Sequence, residues 1–122
     1  MLARTPILTI PAPVFTERTA ARPLRGHTMG MIEDGWLLYY EDNETPPTPE
    51  IDGKLCIVKT ADNRILTRKV RSSWQRDRWD LETVNGEQLF DQLLVWAEPV
   101  TLIQPHVLSE EEKRLLAEAA EP

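Results

Sequence analysis

Short apolar runs, each cut off by a turn signal, constrain this chain more than any other feature. Trp36-Leu37-Leu38-Tyr39-Tyr40, Leu55-Cys56-Ile57-Val58 and Leu93-Leu94-Val95-Trp96 are too short for ordinary helices and rich in aromatic and branched side chains, so they predict strands. Asp52-Gly53 is a turn dipeptide leading into the second run. Ala61-Asp62-Asn63 predicts a hairpin turn into a strand over Ile65 to Val70. Trp79 to Val84 alternates with a period of two, as a half-buried strand does, and Asn85-Gly86 ends it. Leu93 to Ile103 reads as a last extended stretch bent at Pro99. Between the first two runs, Glu41 to Glu50 holds three prolines and four acids with no base, which predicts a loop.

The two ends differ from this middle. Pro6, Pro11, Pro13 and Pro23 block helix continuation and favour extended backbone, so residues 1–23 are expected to be an irregular extended segment, with Ile7 to Ile10 as one short edge strand. The tail is helical in pattern. Ser109-Glu110-Glu111-Glu112 matches a capping box, acids fill the first turn, and Leu115, Leu116 and Ala119 make a narrow apolar face. The expected organisation is a segment 1–23, a mainly β domain 24–105 with five to seven short strands, and a C-terminal helix and tail 106–122.

Composition narrows the function classes. The 122 residues carry 14 Lys and Arg against 20 Asp and Glu, a formal charge of −6, which argues against a free-standing nucleic-acid binder. A single cysteine makes no internal disulfide, and histidines at 27 and 106 have no metal-ligand spacing, so no cofactor or metal is expected. No stretch approaches the roughly 20 apolar residues of a membrane span, and Met1 to Pro11 does not read as a signal peptide. The expectation is one cytoplasmic globular domain away from the membrane.

The richest segment for chemistry is Gly26-His27-Thr28-Met29, followed by Asp34-Gly35 and the apolar run from Trp36. A second block is Asp52-Gly53-Lys54-Leu55-Cys56-Ile57-Val58, a turn at Asp62-Asn63, and Ile65-Leu66-Thr67-Arg68-Lys69-Val70. A third is Arg78 to Asn85, and Leu93 to Ile103 completes the order. In this order and spacing, from about Leu24 to Gln104, the chain resembles the C-terminal domain family of LexA and phage repressors, whose nucleophile motif is Gly-x-Ser-Met. The resemblance implies a β-clip-type fold of small twisted antiparallel sheets, a domain that dimerises a transcriptional repressor, and a Ser–Lys dyad that cleaves its own chain.

At both dyad positions this sequence departs from the family. Thr28 stands where serine is expected and Arg68 where lysine is expected. An arginine stays protonated near neutral pH and cannot serve as general base. Lys69 is adjacent, but neighbouring strand residues point to opposite faces. Neither an Ala-Gly nor a Cys-Gly cleavage pair occurs among the 27 residues before Thr28, and no helix-turn-helix fits there, so no direct DNA binding is expected. The resemblance therefore implies a catalytically degenerate regulatory domain that forms a homodimer or binds a regulatory protein. The alternative is a peptidase acting on itself or a partner through Thr28 with Arg68 or Lys69. If the fold carries over, Gly26 and Gly35 make tight turns, and Arg68 faces the old cleft and pairs with Glu33 or Asp34.

Five further features complete the sequence reading. Arg64 to Arg78 holds six of the fourteen bases, with Trp74 and Trp79 interleaved. It reads as a solvated hairpin with packed indoles, as a surface complementary to the acidic segment Glu33 to Asp52, or as a single-stranded nucleic-acid site. Leu93, Leu94, Val95 and Trp96 serve a core with alternate residues only, leaving the others for an interface. His27 beside Thr28 is not placed to activate it, and His106 is expected at the surface. Cys56, inside an apolar strand, reads as a buried hydrophobe.

Overall fold

A computed structural model describes residues 8–119. The fold is mainly β, in two antiparallel sheets with one C-terminal helix. The elements are β1 (Thr19–Pro23), β2 (Leu37–Glu41), β3 (Leu55–Thr60), β4 (Ile65–Ser72), β5 (Trp79–Glu82), β6 (Leu89–Gln92), β7 (Leu94–Pro99), β8 (Leu102–Gln104) and α1 (Glu110–Ala119). A short 3₁₀ turn, Pro49–Ile51, precedes β3. Every strand predicted from Trp36 onward is present, and the last extended stretch splits into β7 and β8 beside Pro99.

Three local expectations change. Residues 19–23, read as the end of an irregular segment, form β1 and pair along their whole length with β2. β6 has no counterpart in the sequence reading, because four residues with two polar side chains give too short a pattern. The edge strand expected at Ile7 to Ile10 is absent over Leu8 to Ile10, and Ile7 lies outside the described residues.

The smaller sheet has the order β1-β2-β8, and the larger β6-β5-β4-β3-β7. β6 and β7 are opposite edges of the larger sheet, yet only Leu93 separates them. The Cα atoms of Gln92 and Leu94 are therefore within about 7 Å. The sheet curls until its two edges meet at this corner.

Curling gives the sheet an inner and an outer face, and each holds a core. The inner core contains Cys56, Val58, Val70, Trp79, Leu81 and Ala97, with Ile51 from the 3₁₀ turn. The outer core joins Ile57 and Trp96 to Leu24, Met29, Leu38 and Tyr40 of the smaller sheet and its neighbouring turns. β3 contributes to both, which explains why Leu55 to Val58 is an unbroken apolar run rather than an alternating one. A bulge serves the same end in β7. Thr60 pairs with Leu94 and Lys59 with Trp96, so Val95 is the extra residue. That shift sends Leu94 to the inner core and Trp96 to the outer one, although residues two apart ordinarily share a face.

The tail helix is capped as its sequence predicts. The Ser109 N–H donates to Glu112 Oε1 at 2.8 Å, and the Glu112 N–H donates to Ser109 Oγ at 3.1 Å. Leu108, just before the cap, is buried beside Gly35, whereas Leu115 on the helix is half exposed. No helix among the described residues is long and apolar enough to cross a membrane.

Candidate functional site

The turn that carries Thr28 is built from the β1–β2 connection. The Leu24 N–H donates to Trp36 O at 2.8 Å and the Gly35 N–H to Leu24 O at 2.7 Å, so the pairing of the two strands continues to the neck of the turn. Gly26 and Gly35 both sit at φ +93°, a conformation L side chains rarely adopt. Asp34 closes the neck by accepting the Gly26 N–H at 2.7 Å, with Arg25 at 3.7 Å from the same oxygen. Met29 then buries its side chain in the outer core and anchors the turn.

Thr28 is held by the turn that follows β5. Its carbonyl accepts the N–H groups of Val84 at 2.8 Å and Asn85 at 3.1 Å. The Asn85 side chain completes the clamp, donating to His27 O at 2.6 Å and accepting the Gly30 N–H at 3.2 Å. The Thr28 side chain lies over Gly86: a Cβ there would stand 2.5 Å from Thr28 Cγ2. No hydrogen bond among the described residues joins the Thr28 hydroxyl to Arg68 or Lys69. The bonds seen here use Thr28 to seat one turn on another. His27 is exposed.

Arg68 takes a different place from the one expected. On β4 it lies opposite Cys56, between Leu66 and Val70, and so belongs to the inner face. Its Nη1 donates to Thr67 O at 2.7 Å, and its Nε is buried without a partner. Burial lowers its pKa from the ordinary arginine value, helped by the nearby charge of Arg64 and opposed by Glu87. The expected pairing with Glu33 or Asp34 does not form, because Arg68 belongs to the inner face, while Asp34 accepts the Gly26 N–H and lies near Arg25 at the neck of the turn. Lys69, on the opposite face of the strand, shares a groove of about 630 Å³ with Met29, Ile32, Leu55, Val84 and Phe90. It is this residue, rather than Arg68, that lines the groove beside the Thr28 turn.

The remaining candidates are placed as follows. Asp52 accepts the Ser72 N–H at 2.8 Å, and the Gly53 N–H donates to Val70 O at 2.6 Å, fastening the 3₁₀ turn to β4. Cys56 is fully buried, and burial pushes its thiol up to about 11. His106 is half buried, not at the open surface, with Nε2 at 3.1 Å from Glu112 Oε1. The Ser109 N–H, and then His106, hold the Glu112 carboxyl below its ordinary value. Leu93 and Val95 are 46% and 52% exposed, while Leu94 is half buried in the inner core and Trp96 is buried in the outer one.

The basic stretch resolves into local pairs. Arg64 meets Asp62 at 2.9 Å, Arg71 meets Glu82 at 3.2 Å, and Arg78 Nη1 donates to Asp91 O at 3.1 Å. No ion pair among the described residues links it to the acidic segment Glu33 to Asp52, whose one side-chain bond to the stretch is Asp52 accepting the Ser72 N–H. Trp79 packs in the inner core, as a solvated hairpin with packed indoles requires, whereas Trp74 is 84% exposed.

The roles of Asn85 and Asp91 are what sequence reasoning missed. Asn85-Gly86 is legible as a turn, but nothing in the sequence tells that the side chain of Asn85 spans to residues 27 and 30. No protein-family model matches the chain, and neither a curated protein nor a solved structure is significantly similar to it.

Proposed function

We propose that this chain is a non-catalytic, LexA-like regulatory domain of the cytoplasm that works by dimerisation or protein–protein assembly in transcriptional regulation. The carrying observation is the β6–β7 corner, where Leu93 and Val95 stay about half exposed between side chains consumed by two cores. Phe90, three residues before Leu93, is 64% exposed, so one short stretch of chain offers three large apolar side chains to a partner. The inward place of Arg68 and the use of Thr28 as a packing residue support the non-catalytic half of the reading. Light scattering on the purified chain tests it: a dimeric mass at high micromolar concentration is expected, and a strictly monomeric mass removes homodimerisation.

One observation favours a second reading, a peptidase of Thr28 with Lys69. Lys69 lines the groove that Met29 also lines, and a lysine made neutral can take a proton from a hydroxyl as it attacks. This reading predicts slow cleavage of the chain or of a partner at alkaline pH, lost in Thr28→Ala and in Lys69→Ala. Intact mass after long incubation near pH 10, measured by mass spectrometry, removes self-cleavage.

A further inference from the structure

Trp74 stands apart from the other tryptophans. Trp79 and Trp96 are buried and Trp36 is half buried, but Trp74 is 84% exposed. Its loop is nevertheless firmly built. The Ser73 N–H donates to Arg78 O at 3.0 Å, Ser73 Oγ bonds the Asp91 carboxylate, and Arg78 donates to the Asp91 carbonyl. Asp77 turns the backbone at φ +60°. The fold thus spends several bonds to hold a loop whose largest side chain touches little. Arg76 beside it is exposed and has no ion pair among the described residues. Trp and Arg are the residue types that most often dominate protein interfaces.

A complementary surface lies close by. The loop after β2 carries Pro46, Pro47 and Pro49 among Asp42, Glu44 and Glu50. Pro46 and Pro49 are exposed and Pro47 half exposed, and no ion pair among the described residues engages the three acids. The loop is also tied down: the Ala97 N–H donates to Thr45 O at 2.9 Å, and the Thr45 N–H to the buried Glu98 carboxylate at 2.8 Å. Proline-rich segments present stiff, apolar ridges that pack on aromatic faces at small entropic cost. Acids at the rim of such a ridge suit an arginine.

We propose that the Trp74–Arg76 loop of one copy docks on the acidic proline loop of a second copy, and the reverse. This rests on the assembly reading above and adds a second contact to it, beside the β6–β7 corner, since Asp91 of β6 bonds Ser73. The two surfaces sit at one end of the molecule, since Asp52, two residues past Glu50, bonds the Ser72 N–H, two residues before Trp74. Neighbouring, mutually complementary patches let a two-fold axis pass between them and close a dimer with two identical contacts. The exposure of Trp74 rules out the same contact within one chain. Nucleic acid is disfavoured because Arg64, Arg71 and Arg78 already face acceptors, leaving too few bases in the stretch to follow a phosphate backbone.

Sedimentation equilibrium of the full chain and its variants tests the contact. Trp74→Ala is expected to weaken the dimer roughly tenfold or more with an unchanged circular-dichroism spectrum. Arg76→Glu alone, and Glu44→Arg with Glu50→Arg together, each weaken it, while an equimolar mixture of those two proteins restores it, because both contacts are then complementary. A dimer indifferent to all these changes overturns the contact and leaves the assembly reading standing. A chain that stays monomeric overturns both. Quenching of tryptophan fluorescence by oligo-dT at low salt, lost in Trp74→Ala while the dimer is unmoved by it, assigns the loop to nucleic acid and overturns the second-copy contact.

Discussion

The Thr28 turn and the Trp74 turn are built alike and end differently. Each is a loop tied by one residue of a neighbouring segment, Asn85 of the turn after β5 in the first case and Asp91 of β6 in the second. In the first, the anchoring closes the turn on itself: Met29 is buried, the Thr28 carbonyl is doubly bonded, and the Thr28 side chain covers Gly86. In the second, the anchoring leaves Trp74 and Arg76 pointing out. A sequence motif drew attention to the first turn, where the side chains serve packing. No motif marks the second, where the unpartnered chemistry lies.

The contrast can be broken at the Thr28 turn first. Gly86→Ala places a Cβ against Thr28 Cγ2 and should destabilise the fold by about 1–3 kcal/mol in urea unfolding. Thr28→Ser in that background removes the crowding methyl and should recover part of the loss. Full stability in Gly86→Ala alone would show that Thr28 does not lie over Gly86.

The sheet interior can be probed with pH. Burial raises the Cys56 thiol from an ordinary 9.0 to about 11. In the folded chain it therefore keeps its proton where the unfolded chain has lost it. Its contribution to stability is flat below pH 9 and falls as pH rises from about 9 to 11. Urea midpoints across that range should drop less steeply for Cys56→Ala. An identical slope would contradict burial of the thiol.

A smaller effect is expected at the clamp. Asn85→Ala removes two hydrogen bonds to exposed turn backbone and should cost about 1 kcal/mol, read as a lower urea midpoint. The smallest is at the other turn: Trp74→Ala should change stability by no more than about 0.5 kcal/mol, since almost nothing is lost from the interior. A large loss there would mean that the indole supports the fold, and the two turns would no longer differ.

Much of the fold was legible because strands and turns are local. The runs at Trp36, Leu55, Ile65 and Trp79 became strands, and the capping box at Ser109 formed with both of its bonds. β1 and β6 were not legible, since prolines mask the first and polar residues the second. Facing was harder still. The bulge at Val95 decides that Leu94 and Trp96 enter different cores, and a bulge leaves no periodic trace. The glycine turns at Gly26 and Gly35 are present at positive φ, but Arg68, expected to face a cleft, belongs to the inner face, and Lys69 lines the groove. The unpaired state of Trp74, Arg76 and the acidic proline loop emerges only when Arg64, Arg71 and Arg78 are matched to their acceptors.

Sedimentation velocity from low to high micromolar concentration, with the wild-type chain and Thr28→Ala side by side, bears most directly on the central claim that this domain assembles and does no chemistry at Thr28. Both proteins should pass from monomer to dimer along the same curve and keep their full length. A single monomer boundary at every concentration, or a fragment formed by the wild type and not by Thr28→Ala, would contradict it.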